Sequence, residues 1–416
     1  MRATFDTLCV FLLLFTTKVP YFYNSTILLF LFLSLISFFN IKNVYRNFKY
    51  INTVFFQIST WLVLIIFISF LYPFAHSTYD FSIIKTFINQ LISLLVVILF
   101  LINSFNGKKN HNYYINIIIA SFTIQSIIII TSLLSPSFKS IIEITQSDET
   151  IYKSLVSYGG YRNLAFGSTQ FFGLNALYGF VLFLIIYVYE NNQKHPFLYL
   201  IVFLLAFIGC IFTGRTGLLV GTGLAIYYYF STNNRSIKRI FISLFVLTIT
   251  IIFVVIIISN FLPDFVRQWA FQLFYNFSES GEFTSTSSEH LFKEMYFLPD
   301  FSTFFLGDGY YTNEDGSYYQ HTDAGYMRNL LFFGIIGFLT LALYELFIIK
   351  KIEKNMYILS NKQQKSFMTS IIAYILILHI KGEVIGFLVS LQTMLFLILF
   401  SFQLYVSYKP KNNHTR

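Results

Sequence analysis

Long apolar runs, separated by short polar segments, recur along the whole chain. Stretches such as "LISLLVVILFLINSF" are hydrophobic at nearly every position and do not alternate between apolar and polar residues, which favours helices over strands. Runs of about 20 apolar residues are long enough to span the hydrocarbon core of a bilayer. Hydropathy therefore predicts twelve helical spans, at about 5–17, 21–40, 51–72, 81–104, 112–134, 166–189, 197–212, 216–230, 239–261, 324–349, 366–380 and 384–407.

The composition points the same way. Of the 416 residues, 56% are hydrophobic and 11% are charged, whereas a soluble domain carries roughly 25% charged residues. Cys9 and Cys210 both lie in apolar segments and are predicted to be buried thiols rather than a disulfide or a metal pair. We therefore predict an all-α polytopic membrane protein of about 12 transmembrane helices, with residues 1–416 as a single membrane domain.

The distribution of Lys and Arg predicts the orientation. Eighteen of the 28 basic residues fall in one set of alternate connecting segments, which by the positive-inside rule is cytoplasmic. Both termini are then cytoplasmic, and two long polar segments, 135–165 and 262–323, are loops on the outer side of the membrane. The second, which precedes the tenth span, is strongly acidic: between residues 263 and 322 it has nine acidic residues and only Arg267 and Lys293 as bases.

Four arginines fall on the predicted outer side. Arg162, Arg215 and Arg328 each lie at the edge of a span, and Arg267 lies in the acidic loop. A single arginine at such a position often only places its charge at the interface. A set of four is harder to explain in that way, and guanidinium groups bind phosphate oxygens bidentately. The four arginines are therefore predicted to bind a membrane-borne diphosphate.

The stretch "HTDAGYMRNLL" places two further ionisable groups beside Arg328. Imidazole and carboxylate groups can both take a proton from a hydroxyl, so His321 and Asp323 are the candidate catalytic residues. Either could be the base, with Asp323 otherwise orienting the ring or capping the helix. His321 with Asp323 is too sparse for a zinc site, and the chain has no Asp-x-Asp pair, so no metal or other cofactor is predicted. The net charge of +9 forms no stripe suited to nucleic acid.

Three stretches carry a resemblance to a known family. They are "RTGLL" opening a span, "HTDAGYMRNLLFFGIIGF" entering another, and Arg162 followed after ten residues by Gly173. Together with the topology, they resemble the O-antigen polymerase and ligase group, and in particular Wzy-type polymerases of surface polysaccharide. This resemblance implies a fold like that of GT-C membrane glycosyltransferases, in the inner membrane of a bacterium. It also implies that undecaprenyl-diphosphate-linked oligosaccharide is both donor and acceptor, with membrane lipid and a chain-length regulator as further partners.

Two alternative functions stay open from the sequence. A sister ligase, which transfers a finished glycan to lipid A-core, would have similar outer arginines and a similar late loop. A lipid-linked sugar flippase or transporter is the other alternative, although no repeated halves can be recognised. The sequence does not separate the polymerase from the ligase.

Overall fold

The computed structural model describes residues 2–19, 21–107, 109–192, 195–232, 272–281, 286–313 and 316–408, and five single positions (248, 249, 252, 256 and 267). Within these residues the chain is all-helical, apart from one isolated bridge between Thr312 and Tyr318.

Eleven of the described helices coincide with predicted spans, and of the span predicted at 239–261 only residues 248, 249, 252 and 256 are described. Seven of them are long and apolar enough to cross a membrane: Ile41–Ala75, Ser82–Ser104, His111–Leu134, Phe171–Asn191, Pro196–Thr213, Gly325–Asn355 and Val389–Tyr408. The chain is therefore a polytopic membrane protein. The total of twelve crossings stays a prediction. The helices are α1 (Arg2–Leu14), α2 (Ser25–Phe39), α3 (Ile41–Ala75), α4 (Ser82–Ser104), α5 (His111–Leu134), α8 (Phe171–Asn191), α9 (Pro196–Thr213), α10 (Thr216–Thr232), α14 (Gly325–Asn355), α15 (Asn361–Lys381) and α16 (Val389–Tyr408).

The two segments predicted as long loops contain short helices. The segment 135–165 holds α6 (Pro136–Glu143) and α7 (Asp148–Tyr158). In the described part of 262–323 lie α11 (Gln272–Ser280), α12 (Thr286–His290) with a π-helical turn at Leu291–Met295, α13 (Phe301–Leu306) and a short 3₁₀ turn at Tyr319–His321. The span predicted at about 324–349 is α14, which begins at Gly325.

Helix α3 starts ten residues earlier than hydropathy predicted. Its buried positions recur every three or four residues, and this stripe continues through a basic, hydrophilic stretch as far as Asn47. The Asn47 amide donates hydrogen bonds to the carbonyls of Ile102 (2.8 Å) and Phe105 (3.1 Å) at the end of α4. The opposite face of α3 exposes large apolar side chains, including Phe67 and Phe70, as expected of a helix that faces lipid.

Helices α8 and α10 pack unusually closely, because glycines lie where they cross. A Cβ atom added to Gly217 would lie 2.2 Å from the carbonyl oxygen of Asn175, and one added to Gly221 would lie 2.3 Å from that of Gly179. No side chain fits in this space. The contact brings the start of α10, and with it Arg215, against the start of α8.

Helix α14 is broken at Gly334, whose backbone is non-helical (φ 61°, ψ −176°). The break leaves carbonyl groups of the preceding turn without helical partners. The N–H groups of Asp308 and Gly309 bond to two of them, those of Leu331 (2.7 Å) and Phe332 (3.2 Å). The loop after α13 is thereby attached to a membrane helix through backbone hydrogen bonds.

The connections at one end of the bundle form a continuous layer. Ser168 N–H bonds to the Thr16 carbonyl at 2.8 Å, and Lys18 N–H bonds to the Thr145 carbonyl at 3.1 Å. The Thr78 hydroxyl donates to the Gly309 carbonyl at 2.7 Å. We call this end, where α8, α10, α14 and α16 begin, the site end.

Candidate functional site

A cavity of about 410 Å³ opens at the site end, among the starts of α8, α10 and α14 and the loop between α15 and α16. Its described lining contains five cations and two carboxylates, so positive charge prevails. Such a density of charge is unusual beside a hydrocarbon phase and marks a functional site by default. The charged residues are Lys153, Arg162, Arg215, Arg328, Lys381, Asp323 and Glu383.

Arg328 is the most tightly held of the cations. It is 7% exposed, and its Nη1 lies 3.0 Å from a carboxylate oxygen of Glu383. Its guanidinium carbon lies 3.9 Å from the ring centre of Tyr311 and 3.7 Å from that of Tyr318, so the planar group contacts two aromatic faces. Its Nη2 has no hydrogen-bond partner among the described residues. Arg328 is therefore fixed in place by a carboxylate and two aromatic rings.

Tyr311 and Glu383 form the other half of this buried cluster. The Tyr311 hydroxyl donates a hydrogen bond to Glu383. Burial and the neighbouring Glu383 raise the pKa of Tyr311 well above its ordinary value, so its hydroxyl stays protonated. Burial also raises the pKa of Glu383, although Arg328 and the Tyr311 hydrogen bond act in the opposite direction.

Polar side chains of the membrane helices hold the loop that positions Glu383. His379 Nδ1 accepts the N–H of Val384 at 2.9 Å. Gln90 donates to the carbonyl of Gly386 at 2.6 Å, and a Glu345 oxygen accepts the N–H of the same glycine at 3.2 Å. Glu345, a charged residue within α14, thus has a structural contact close to the cavity wall.

Tyr311 is positioned by a carboxylate on the other side of the site end. One Asp80 oxygen accepts the N–H groups of Tyr311 (2.7 Å) and Thr312 (2.8 Å), and the other accepts that of Ser82 (3.0 Å). Burial acts to raise the pKa of Asp80, but these hydrogen bonds outweigh it and lower the pKa below its ordinary value.

Asn175 organises the turn between α9 and α10 that carries Arg215. Its amide donates to the Gly214 carbonyl at 2.8 Å, and its oxygen accepts the N–H of Gly217 at 2.6 Å. A Cβ atom at Gly214 would lie 2.9 Å from the Asn175 side chain and 3.2 Å from an Arg162 nitrogen. The glycines beside Arg215 are therefore needed because Asn175 and Arg162 occupy this space.

The two half-buried arginines lie on this side of the cavity. Arg162 donates to the carbonyl of Thr213, and its guanidinium carbon lies 5.6 Å from the ring centre of Phe171. Arg215 Nη1 lies 3.4 Å from the side-chain oxygen of Gln272 in α11. These oxygens are neutral acceptors, in contrast to the carboxylate that holds Arg328.

Asp323 and the two lysines complete the charged lining. One oxygen of Asp323 is buried and has no hydrogen-bond partner among the described residues. Lys381 donates to the Ser287 hydroxyl at 2.8 Å and interacts electrostatically with Asp323 and Arg215. The Lys153 ammonium lies 5.8 Å from the ring centre of Tyr318. The lining thus combines several cations with a carboxylate that has capacity to accept a proton or a hydrogen bond.

The structure brings four of the six predicted site residues together and leaves two outside. Arg162, Arg215, Arg328 and Asp323 line the same cavity. His321 is exposed, at the end of a 3₁₀ turn, and does not line it; Arg267 is half-buried and is also absent from the described lining. The roles predicted for all six stay predictions.

Lys153, Lys381 and Glu383 are the charged residues that sequence reasoning missed. Lys153 lies in the segment 135–165, in which Arg162 is the one residue predicted to belong to the site. Lys381 and Glu383 stand in "HIKGEVIGF", in the short gap between two predicted spans. Their signal was a pair of opposite charges in a connection on the same predicted side as the four arginines.

No three His, Cys, Asp or Glu side chains in the described part of the chain are grouped so that they could hold a metal ion. The lining instead offers guanidinium and ammonium donors, which suit a ligand with several negative oxygens. In comparisons with known proteins, no family model matches the chain and no curated protein is similar to it.

Proposed function

We propose that this protein is a membrane glycosyltransferase that polymerises undecaprenyl-diphosphate-linked oligosaccharide repeat units into a surface polysaccharide. The observation that carries the proposal is the cluster of five cations and two carboxylates around one cavity at the site end. A lipid diphosphate needs this combination: dense positive charge for the phosphate oxygens, next to helices that face lipid. The identity of the glycan rests on the resemblance of the three sequence stretches.

The diphosphate binds to Arg162, Arg215 and Arg328 in this proposal, with Lys381 and Lys153 close by. The oxygen of an acceptor hydroxyl attacks the anomeric carbon of the donor sugar, and the bond from that carbon to the diphosphate oxygen breaks. Undecaprenyl diphosphate leaves with the electron pair. Preorganised cations stabilise the negative charge that develops on it.

Asp323 is the base that the geometry favours. The hydroxyl proton must go to a group that lines the cavity, and the buried Asp323 oxygen has an unused acceptor position there. Glu383 is less suited, because it already contacts Arg328 and Tyr311. His321 lies outside the lining.

The finer topology belongs to the same proposal. Twelve crossings in a GT-C-like arrangement would place both termini in the cytoplasm and the site end at the periplasmic face of a bacterial inner membrane. The agreement of eleven helices with predicted spans supports this arrangement. The basic segments around Lys42–Lys49 and Lys350–Lys365 follow helices that run away from the site end, which also supports it.

A lipid-linked sugar flippase is the second candidate, favoured by the break in α14 at Gly334. Transporters often bind substrates at broken helices near the middle of the membrane. Here the charged cavity lies at the end of the bundle, which favours an enzyme. Reconstituted vesicles decide between the two: a flippase moves a labelled lipid-linked sugar across the bilayer in the absence of any acceptor.

Deletion and complementation in the native host test the proposal. If the protein is the polymerase, deletion leaves a single repeat unit on the lipid core, whereas loss of a ligase leaves the core bare. Complementation with Arg162→Ala or Arg215→Ala should fail to restore long chains at matched protein levels. The control is Lys293→Ala, because Lys293 is a cation of the acidic segment 262–323 that does not line the cavity and whose side chain is 73% exposed. Normal chain lengths in the deletion strain would overturn the proposal.

A further inference from the structure

A second cavity lies beside the charged one and differs from it completely in character. It has a volume of about 250 Å³ and is formed by the starts of α2, α4 and α16 and by the segments around residues 16 and 169. No charged side chain lines it in the described part of the chain. Its polar lining consists of hydroxyl and amide groups: Thr16, Asn24, Thr26, Thr86, Asn89, Ser93, Thr169 and Ser390.

Helix α4 supplies the most telling part of this lining. Thr86, Asn89 and Ser93 are spaced by three and four residues, which places them on one face of the helix. None of the three side chains hydrogen-bonds to another described residue. Ser93 is only 3% exposed, and Thr26 on the facing helix only 4%. Hydroxyl and amide groups that are not bonded to other protein groups can donate and accept hydrogen bonds to a polar ligand in this cavity.

The two cavities share a wall. Phe387 and Leu388, in the loop between α15 and α16, line both of them. This loop also carries Glu383, which holds Arg328, and it is fixed by Gln90 and Glu345. A molecule anchored by its phosphates in the charged cavity therefore lies next to a compartment of neutral hydrogen-bonding groups, with the ring of Phe387 between them.

We propose that the uncharged cavity binds the sugar ring next to the diphosphate of the lipid-linked substrate, which deepens the proposed function and rests on it. The ring is a neutral, polyhydroxylated group, and hydroxyl and amide side chains supply both the donors and the acceptors that it needs. The apolar face of Phe387 can pack against the carbon–hydrogen face of the ring. Cations on one side and neutral polar groups on the other thus match the two chemical parts of one substrate.

The test compares two lipids on purified protein in nanodiscs. One is undecaprenyl diphosphate, and the other is the lipid-linked repeat unit extracted from the deletion strain. The variant Thr86→Val, Asn89→Leu replaces two polar side chains with apolar ones of similar shape. It should bind the glycosylated lipid roughly tenfold more weakly than the wild type, since each lost hydrogen bond costs about 0.5–1.5 kcal/mol. Its affinity for undecaprenyl diphosphate should be unchanged.

Controls separate this inference from the proposed function. Thr60→Val removes an exposed hydroxyl on α3 and should change neither affinity, while Arg215→Ala should weaken the binding of both lipids. If Thr86→Val, Asn89→Leu binds both lipids like the wild type, the cavity holds only water and the sugar site is refuted, but the diphosphate site stands. If Arg215→Ala binds both lipids normally, the proposed function itself fails.

Discussion

The two sides of the charged cavity hold their cations in different ways. On one side Arg328 is buried, ion-paired with Glu383 and flanked by two tyrosine rings. On the other side Arg162 and Arg215 are half-buried and donate to neutral oxygens. The difference in burial indicates that position and charge are supplied separately: the buried Arg328, with Glu383 beside it, defines the geometry, whereas the half-buried Arg162 and Arg215 supply positive charge to the ligand.

Breaking the buried ion pair should have the largest effect. Glu383→Gln leaves the Arg328 guanidinium buried without its carboxylate, and removal of one partner of a buried pair costs about 3–5 kcal/mol. We expect a strongly lowered midpoint of thermal unfolding in detergent, measured by retention of monodisperse protein, together with loss of polymer.

A double variant separates stability from activity. Glu383→Gln, Arg328→Met removes both charges and should recover most of the stability, because a neutral pair can replace a buried ion pair, but it should not restore polymer. The control is Glu289→Gln, which disrupts the exposed Glu289–Lys293 pair and should change the midpoint little. Wild-type stability in Glu383→Gln would mean that Arg328 is not held by this carboxylate.

Substitutions on the half-buried side of the cavity should lower the activity of the protein but not its stability. Because the Arg215 side chain is half-buried rather than buried, we expect the protein level and unfolding midpoint of Arg215→Ala to stay close to those of the wild type. The rate of polymerisation should fall by a factor on the order of 10²–10³, the usual cost of losing one preorganised donor. Arg215→Lys keeps the charge but loses the planar fork and should recover only part of the rate. Full-length polysaccharide from Arg215→Ala would remove this residue from the site.

Asp80 offers a milder perturbation of the side that holds Arg328. Because the pKa of Asp80 is lowered from its ordinary value of 3.8, its stabilising effect is present above that pH and is lost as the pH falls through the lowered pKa. Asp80→Ala should therefore loosen the backbone at Tyr311 and Thr312 by about 1–2 kcal/mol. Hydrogen exchange at pH 7 should show lower protection factors for these two amides and unchanged protection in the core of α8. Equal protection in variant and wild type would show that Asp80 does not hold this loop.

Sequence reasoning identified the helices and most of the charged cluster, for a simple reason. Uninterrupted apolar runs mark the spans, and alternation of direction places Arg162, Arg215, Arg328 and Asp323 at one end of the bundle. Sequence reasoning missed Glu383 as the partner of Arg328. The position of Glu383 depends on which helices are neighbours in the bundle, and hydropathy does not show which helices are adjacent.

The remaining differences have local causes. The early start of α3 depends on a buried stripe that runs through a hydrophilic stretch to Asn47, and a hydropathy window averages such a stripe away. The break at Gly334 lies within an apolar run, "FFGIIG", and becomes recognisable only when the loop around Gly307 is seen to bond to it. Side-chain direction in a loop is equally invisible in the sequence, which is why His321 and Asp323 could not be distinguished.

Substitution of His321 should have the smallest effect on polymerisation. It therefore serves as the comparison for substitution of Asp323, which lines the cavity. His321 shares a loop with Tyr311 and Tyr318, which pack on Arg328, but its own side chain is exposed outside the cavity. We expect His321→Ala to retain polymer of nearly normal length, whereas Asp323→Asn should lower the rate by about 10²–10⁴, the usual contribution of a positioned base. Both are measured as glycan length and as initial rate at matched protein levels. A severe defect in His321→Ala beside normal polymer from Asp323→Asn would transfer the role of base to the histidine and would require this loop to turn inward when substrate binds.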